Sequence, residues 1–199
     1  MNPSEVDFSE LKFSKTKKSQ GRRFILAYYM KKPLVLKINT PIKLPFGAQL
    51  NKYSQIEVTF PVDVESSFKE SMNSLDSILP SFSENWFDDD SIYTDVVKNG
   101  MMTVKVDTQN TSFFDVNSEY LEMESTEDIC KFLSKGSVIK CSIKMVGIWI
   151  MDSNRYGVTW KFDQIKLESS SVQNDSEDEN YDFSSSDSED CSDVDYLCD

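Results

Sequence analysis

Alternating apolar and polar residues occur in short segments along the chain, and prolines separate several of them. Ile56, Val58 and Phe60 alternate with polar residues, which is the period-two pattern of a half-buried strand. The same interpretation predicts strands at residues 23–30, 34–38 and 101–106. Prolines mark the expected ends of the early segments: Pro33, Pro41, Pro45 and Pro61.

A hairpin is the clearest predicted element. Two apolar runs that favour strands, 138–150 and 157–162, flank a polar segment containing Asp, Asn and Gly, which is typical of a turn. Alternate residues of the second run should face the core. Gly147 lies inside the first run and predicts a bulge or a close approach of another backbone.

Two helices are predicted between the strands. Apolar residues recur every three or four positions from 66 to 78, and Pro80 should stop that helix. A shorter helix is expected at 126–133. The expected N-caps are hydroxyl side chains: Ser66 or Ser67, and Ser125 or Thr126.

This succession of elements predicts a mainly β fold with short inserted helices. The architecture should be an OB-like five-stranded barrel or a curved antiparallel sheet. We expect that domain at residues 21–167, a flexible basic N-terminal arm at 1–20 and a disordered acidic tail at 168–199. No apolar run reaches the roughly 18 residues of a membrane span, and no secretory signal pattern is present. We therefore expect a soluble intracellular protein without a membrane partner.

The tail is a polyanion. Residues 168–199 contain twelve acidic side chains and no basic one. Such a segment buries too little apolar surface to offset the entropy of ordering it, so we expect it to be disordered. The formal net charge of −13 falls to −1 for residues 1–167, which keep 22 of the 34 acidic residues and all 21 basic ones.

Basic and acidic residues are concentrated in different segments of residues 1–167. Residues 1–55 carry eleven basic and three acidic side chains, and residues 135–167 carry six and two. Residues 56–134, between them, carry four basic and seventeen acidic side chains. If the two basic segments meet in the fold, they form a positive surface that attracts phosphate backbones. Clustered charge is also common on ordinary protein surfaces, so charge alone does not distinguish a nucleic-acid-binding surface from an ordinary one.

Composition disfavours several kinds of catalysis, and we expect neither an enzyme nor a cofactor. The absence of histidine removes His-paired nucleophiles and the commonest general base, and no glycine-rich phosphate-binding motif is present. The four cysteines lack Cys-x-x-Cys spacing and predict neither a zinc site nor a disulfide framework. Metal-dependent catalysis on Asp88, Asp89 and Asp90 is the minor alternative.

Aromatic residues alternate with lysine and arginine in both basic segments. Sequence-independent binding of single strands needs a cationic groove and exposed rings on which bases stack. Most strand rings should be core, whereas Tyr53 and Tyr156 should be exposed in turns beside a cation, and one of the adjacent pair Tyr28 and Tyr29 should face outward. The candidate nucleic-acid-binding residues are Arg22, Arg23, Tyr28, Tyr29, Lys31, Lys32, Lys37, Lys43, Lys52, Tyr53, Lys144, Trp149, Arg155, Tyr156 and Lys161.

The predicted hairpin resembles a known family over residues 141–167. An Ile-Trp strand (Ile148, Trp149) precedes a Gly-x-x-Trp-Lys strand (Gly157, Trp160, Lys161), as in the closing hairpin of the single-stranded-DNA-binding proteins of large nucleocytoplasmic DNA viruses. The resemblance implies an OB-fold DNA replication factor. Phage counterparts with acidic C-terminal tails share this layout.

These observations together predict sequence-independent binding of single-stranded DNA, with RNA as the alternative, in viral DNA replication or recombination. The tail should compete with DNA for the groove and, once displaced, recruit replication proteins. Its candidate partner-binding residues are Asp187, Glu189, Asp190, Asp193, Asp195, Tyr196 and Leu197. For a viral protein the expected location is the host cytoplasm, with the nucleus as the alternative. The oligomeric state stays open, a dimer included.

A protein of another class would use the acidic segments instead. A chaperone for histones or other basic proteins would bind them through the acidic middle and tail. Such a chaperone has no need for alternating cations and rings, which is why we rank it second.

Overall fold

The structure is a computed structural model that describes residues 1–19, 22–87 and 90–170. Within these ranges the strands are β1 (Lys12–Phe13), β2 (Lys17–Ser19), β3 (Arg22–Tyr28), β4 (Val35–Lys43), β5 (Ala48–Leu50), β6 (Ile56–Pro61), β7 (Ile92–Thr94), β8 (Val97–Lys98), β9 (Met101–Lys105), β10 (Ser112–Phe114), β11 (Tyr120–Leu121), β12 (Val138–Ile150) and β13 (Arg155–Ser169). The α-helices are α1 (Ser66–Ile78) and α2 (Thr126–Phe132), and 3-10 helices cover Pro3–Glu5, Phe8–Glu10 and Leu79–Asn85.

The predicted hairpin forms the centre of an open, curved sheet. β12 pairs with β13 along its whole length, and β3 and β4 lie end to end along the other edge of β12. The mainly β fold with two helices is thus confirmed. Because β3 and β4 belong to the first basic segment and β12 to the second, the two basic segments are neighbours in the sheet.

The far edge of β13 departs from the antiparallel expectation. β7, β9 and β10 all pair with it in parallel, through Ile92 with Arg155, Lys105 with Lys161, and Ser112 with Gln164. The sheet then continues through β6 and β5. Parallel neighbours need long connections, and here β11, α2, β12 and loops lie between β10 and β13 in the chain.

The core packs against one face of the sheet. Trp160 and Phe162 of β13 are buried there, as the alternation predicts, and the ring of Phe162 contacts that of Phe60. The predicted bounds of α1 are confirmed, and its Phe68, Met72 and Leu75 are fully buried.

The helix caps follow the prediction in only one case. Ser125 caps α2, since its hydroxyl accepts a hydrogen bond from the Asp128 N–H. The prediction for α1 was wrong: Glu65 is the N-cap residue and no side chain caps the helix, while the Ser67 hydroxyl donates to the Glu65 carboxylate.

Two irregularities shape the strands along β12. Pro41 does not end β4, contrary to prediction, because residues 39–41 bulge between the pairs Ile38–Cys141 and Ile42–Ile139. A proline is tolerated where the ladder needs no N–H. The bulge predicted at Gly147 is confirmed by a register shift, and a Cβ there would clash with the Ile25 carbonyl oxygen. The close approach of β3 therefore requires glycine.

The predicted N-terminal arm packs on the domain. Phe8 and Leu11 are buried in the core, the Ser71 hydroxyl donates to the Pro3 carbonyl, and β1 and β2 pair with β3. At the other end, β13 includes Glu168, the first residue of the predicted tail. Residues 171–199, with all the candidate partner-binding residues, lie outside the described residues. No helix in the described ranges is long and apolar enough to cross a membrane.

Candidate nucleic-acid interface

Three lysines form a row across the outer face of the sheet, opposite the core. Lys144 of β12 is the register partner of Lys161 of β13, which in turn is the partner of Lys105 of β9. Register partners on adjacent strands project from the same face. Each lysine side chain keeps about a third of its surface exposed, between 29% and 34%. The row therefore presents three positive charges to solvent, side by side.

Acidic or amide groups hold each of these lysines in place. The Lys161 ammonium donates to the Asp107 carboxylate at 2.7 Å, and Lys105 donates to the Gln55 side chain at 2.9 Å. Lys144 lies 3.9 Å from the Asp163 carboxylate. Partly exposed ion pairs of this kind are worth little in folding, so an incoming phosphate can compete for the same ammonium groups.

The pKa of Asp107 reflects its contact with Lys161. Burial acts to raise the pKa of Asp107, but the hydrogen bond from Lys161 outweighs it, together with hydrogen bonds from Asn110 and Gln109, and the pKa falls below its ordinary value. The carboxylate therefore stays charged and orients Lys161 at neutral pH.

Two aromatic rings lie on the same face, next to the lysine row. Phe24 of β3 and Trp149 of β12 are register partners, and both are half-buried. On the outer side of Phe24, Lys17 of β2 is its register partner and is exposed. The arrangement therefore places a cation, two rings and the lysine row on one continuous surface.

Gly157 explains how the Trp149 ring lies on the sheet. A Cβ at Gly157 would meet Trp149 Cζ2 at 2.6 Å and Cε2 at 2.9 Å. The indole thus covers the position where a side chain of the neighbouring strand would project. The Ile-Trp and Gly-x-x-Trp-Lys segments of the sequence therefore meet in space, with the ring seated over the glycine and Lys161 further along β13.

A cleft of about 290 Å³ opens beside this ring. Its lining includes Trp149, Thr159, Thr59, Thr103, Lys105 and Lys98. The hydroxyls of Thr59 and Thr103 are 2.8 Å apart, and either can be the donor. The cleft combines one aromatic wall with hydroxyl and ammonium groups and with the carboxylates of Glu57 and Asp95, a polar set suited to the edge of a flat polar ring.

Asp76 fixes one wall of the cleft. Its carboxylate accepts hydrogen bonds from the Tyr93 hydroxyl at 2.6 Å and from the backbone N–H groups of Val96 and Val97 at 2.8 and 3.1 Å. Burial first, and then the contact with Asp76, raise the pKa of Tyr93 above its ordinary value. Residues 93–97 are thereby held against α1, and Thr94, Asp95 and Val96 line the cleft.

Tyr53 is the most exposed of the candidate rings, at 56%. The Arg22 guanidinium lies 5.2 Å from its ring centroid and the Lys52 ammonium 5.1 Å. The expected exposure of Tyr53 beside a cation is confirmed. This cluster joins the turn after β5 to the start of β3.

Two other candidate tyrosines are buried, and for Tyr156 the prediction of exposure was wrong. Tyr156 is 1% exposed, because β13 starts at Arg155 and its second residue already faces inward against Trp86, Phe87 and Tyr93. Tyr29 is 5% exposed, so Tyr28, which is half-buried, is the outward member of that pair.

The remaining candidates are not all on this face. Arg23 donates to the Met151 carbonyl at the hairpin tip, where Arg155 is exposed. Lys31 and Lys32 lie exposed in the β3–β4 turn. On β4, Lys37 pairs with Ser142 and Lys43 with Val138, towards the opposite end of β12 from Trp149.

Sequence reasoning missed Lys105 as a site residue. Alternation in β9 places it on the polar side, opposite Met102 and Val104, and that signal was available. The position of Lys105 beside Lys161 could not be predicted from the sequence, because it depends on a parallel pairing of segments that are distant in the chain. For the metal alternative, no group of three or more His, Cys, Asp or Glu that could hold a metal occurs in the described residues, and Asp88 and Asp89 lie outside them.

Comparison with known proteins gives structural similarity alone. A scan against protein-family models found no match, and a search of curated proteins found none. The single-stranded DNA-binding protein from bacteriophage Enc34 is similar in structure, with a TM-score of 0.48 and 10% identity over 79% of this chain and 89% of that chain. The same phage protein in complex with single-stranded DNA gives a TM-score of 0.42 and 12% identity over 78% and 94%.

These solved structures come from a phage. The resemblance to proteins of large nucleocytoplasmic DNA viruses therefore stays a prediction.

Proposed function

We propose that this chain binds single-stranded DNA without sequence preference on the outer face of β12 and β13. The observation that carries the proposal is the row Lys144, Lys161 and Lys105 beside the paired rings of Phe24 and Trp149. The phosphates contact the lysine row. The bases turn towards the rings, where their apolar faces leave water.

The binding free energy divides between base stacking and phosphate contacts. Stacking is worth about 1–3 kcal/mol per base, so two rings supply about 2–6 kcal/mol. Micromolar affinity requires about 8 kcal/mol. Phosphate contacts must supply the difference, and the affinity must therefore fall steeply with salt.

The groups around the rings fit binding without base preference. Every base has a flat face that a ring can stack on. In the adjoining cleft the hydroxyl pair of Thr59 and Thr103 can reverse its hydrogen bond, so it can offer a donor or an acceptor to a base edge. Neither group selects one base.

We propose binding rather than catalysis, in DNA replication or recombination, with the acidic tail competing for the lysine row and recruiting partner proteins when DNA displaces it. Support comes from the charge distribution: residues 168–199 carry twelve acids and no basic residue in the sequence, whereas three lysines meet on the outer face of the described sheet.

Fluorescence anisotropy with a labelled oligothymidylate tests the proposal. We expect binding that single-stranded DNA competes away and duplex DNA does not, and an RNA competitor ranks the alternative ligand. The slope of log affinity against log salt should be about −2, since each neutralised phosphate of a single strand contributes about −0.7.

Variants locate the interaction. Lys161→Ala should reduce the salt slope by about 0.7, and Lys69→Ala, at an exposed position on α1, is the matched control that should change nothing. Binding without salt dependence, or equal competition by duplex DNA, would contradict the proposal. Retention on a histone column without DNA binding would favour the chaperone instead.

A further inference from the structure

A second group of cations and rings lies on the same face, at the other end of the hairpin. Lys140 of β12 is the register partner of Lys166 of β13, Lys166 is the partner of Phe114 of β10, and Phe114 is the partner of Tyr120 of β11. Four neighbouring strands thus present two lysines followed by two rings. We call these four residues the distal row.

The rings of the distal row are accessible and firmly held. Tyr120 is 65% exposed, and its ring meets that of Phe114 edge-on, with centroids 6.0 Å apart. The Asp115 carboxylate accepts hydrogen bonds from the N–H groups of Asn117 and Glu119 at 2.9 and 2.7 Å and so fixes the turn between β10 and β11. A ring held in this way loses little entropy when a base stacks on it.

A cleft of about 270 Å³ adjoins the distal row. Its lining includes Lys37, Asn39, Phe114, Lys140, Gln164 and Lys166. Three ammonium groups therefore surround a space that has an aromatic wall and two side-chain amides. Negative charge at Glu119 and Glu122 lies on the β11 side, so a phosphate is favoured only on the lysine side of the rings.

Glu168 already occupies the lysines of this row. One carboxylate oxygen accepts a hydrogen bond from Lys140 at 3.2 Å, and the other lies 3.5 Å from the Lys166 ammonium. The hydrogen bond from Lys140 lowers the pKa of Glu168, which is thus charged at neutral pH. A phosphate oxygen that replaced this carboxylate would find both ammonium groups in place.

The distal row is continuous with the proposed DNA-binding face. Outward positions 140, 142 and 144 alternate along β12, so Lys140 lies about 13 Å from Lys144 along the strand, and the Trp149 position lies about 30 Å from Lys140. The intervening outward residues are Ser142 and Gln164, which are uncharged register partners. The Asp163 carboxylate also lies between the two lysine rows, where it accepts a hydrogen bond from the Ser142 hydroxyl at 3.2 Å and is paired with Lys144 at 3.9 Å, so a bound strand must displace it from Lys144 as it displaces Glu168 from Lys140.

We propose that the distal row is a second stacking site for the same single strand, with Lys37, Lys140 and Lys166 binding phosphate and Tyr120 stacking a base. The strand then runs along the β12–β13 hairpin from Trp149 to Tyr120, and Glu168 is the counter-ion that its phosphate displaces. The inference rests on the proposed function and adds the direction and extent of the DNA path.

Oligonucleotide length separates the two sites. An oligothymidylate of about four nucleotides is too short to reach from Trp149 to Tyr120, whereas one of about 12 nucleotides reaches both; both lengths lie within the range that OB-type folds cover. With the full chain, Tyr120→Ala should weaken binding of the long oligonucleotide at least about 5-fold and leave the short one unchanged. Trp149→Ala should weaken both.

Two charge variants test whether Glu168 is the counter-ion, and because they change exposed or partly exposed side chains they should not disturb folding. Lys37→Glu changes an exposed side chain and should weaken only the long oligonucleotide, while Glu168→Gln should tighten it. Phe46→Ala is the matched control for Tyr120→Ala, because Phe46 is 54% exposed on the loop between β4 and β5.

The outcomes distinguish this inference from the proposed function. Wild-type binding of the long oligonucleotide that Tyr120→Ala and Lys37→Glu both leave intact would overturn the distal row alone. Failure of the unaltered chain to bind either oligonucleotide would overturn the proposed function, and the distal row with it.

Discussion

Replacing Gly157 with alanine should displace the Trp149 ring without touching a charged group. The added methyl would lie 2.6 Å from Trp149 Cζ2, 2.9 Å from Cε2 and 3.0 Å from the Thr94 carbonyl oxygen. Real Cβ atoms do not approach other heavy atoms closer than about 3.0 Å. The indole is the part that can move, because the other contact is with backbone.

The cost can be estimated in two parts. Overfilling a packed position costs about 1–3 kcal/mol of folding stability. Lifting the ring off the sheet removes one stacking surface, which is about 1–3 kcal/mol of binding and about 5- to 150-fold in affinity. Gly157→Ala should therefore weaken DNA binding while the lysine row, and with it the salt slope, stays the same.

A double-mutant cycle isolates the contact. The variants Gly157→Ala, Trp149→Ala and the double variant are compared by anisotropy with oligothymidylate and by chemical denaturation. Because both changes act through one ring, the double variant should bind like Trp149→Ala alone. In the Trp149→Ala background the methyl loses its two closest contacts, so Gly157→Ala should cost less stability there than in the wild type.

Two results would refute this reasoning. Wild-type affinity of Gly157→Ala would show that the seated ring does not stack a base. Additive losses of affinity in the double variant would show that the glycine acts through something other than Trp149.

Further predictions concern the supporting residues and the tail. Tyr93→Phe should lower the free energy of unfolding by about 1–3 kcal/mol in denaturant titrations, because the Asp76 carboxylate loses a hydrogen-bond donor. Because folding raises the pKa of Tyr93, the wild type should lose stability as the pH rises above about 10. The variant lacks this hydroxyl and should lose less stability over the same pH range. Tyr156→Ala should cost about 3–5 kcal/mol because the ring is buried, whereas Tyr53→Ala should leave the melting temperature nearly unchanged and weaken DNA binding; the reverse ranking would contradict the assignment. Deletion of residues 171–199, which leaves β13 intact, should tighten binding at low salt and lose its effect at high salt, and unchanged affinity would refute competition by the tail.

The local parts of the fold were predictable from the sequence. The β12–β13 hairpin and α1 depend on patterns within a single run of residues, and their apolar faces pack as the alternation requires. Pro41 shows the limit of local signals. A proline ends a strand only when the ladder needs its N–H, and the bulge in β4 removes that need.

The candidate site was predictable only in part. Lys144, Lys161 and Trp149 lie on one local hairpin and could be named together. Lys105 joins them through a parallel pairing of segments more than fifty residues apart in the chain, which no local pattern encodes. Tyr156 was misplaced because β13 begins before the predicted strand, and strand alternation turned that ring inward.

The structure shows what the glycine, tryptophan and lysine of the Gly-x-x-Trp-Lys segment contact. Gly157 leaves room for the Trp149 ring, Trp160 faces the core, and Lys161 occupies the middle of the lysine row. Gly157 therefore lies beneath the Trp149 ring, while Thr159 and Lys161 face the proposed DNA.

Backbone amide chemical-shift mapping of the full chain during titration with oligothymidylate tests the central claim most directly. The account predicts shifts concentrated on β12, β13 and β9 around Trp149, Lys144, Lys161 and Lys105, with α1 unaffected. Shifts confined to α1 or the β4–β5 loop, or no shifts at saturating oligonucleotide, would contradict binding on this face of the sheet.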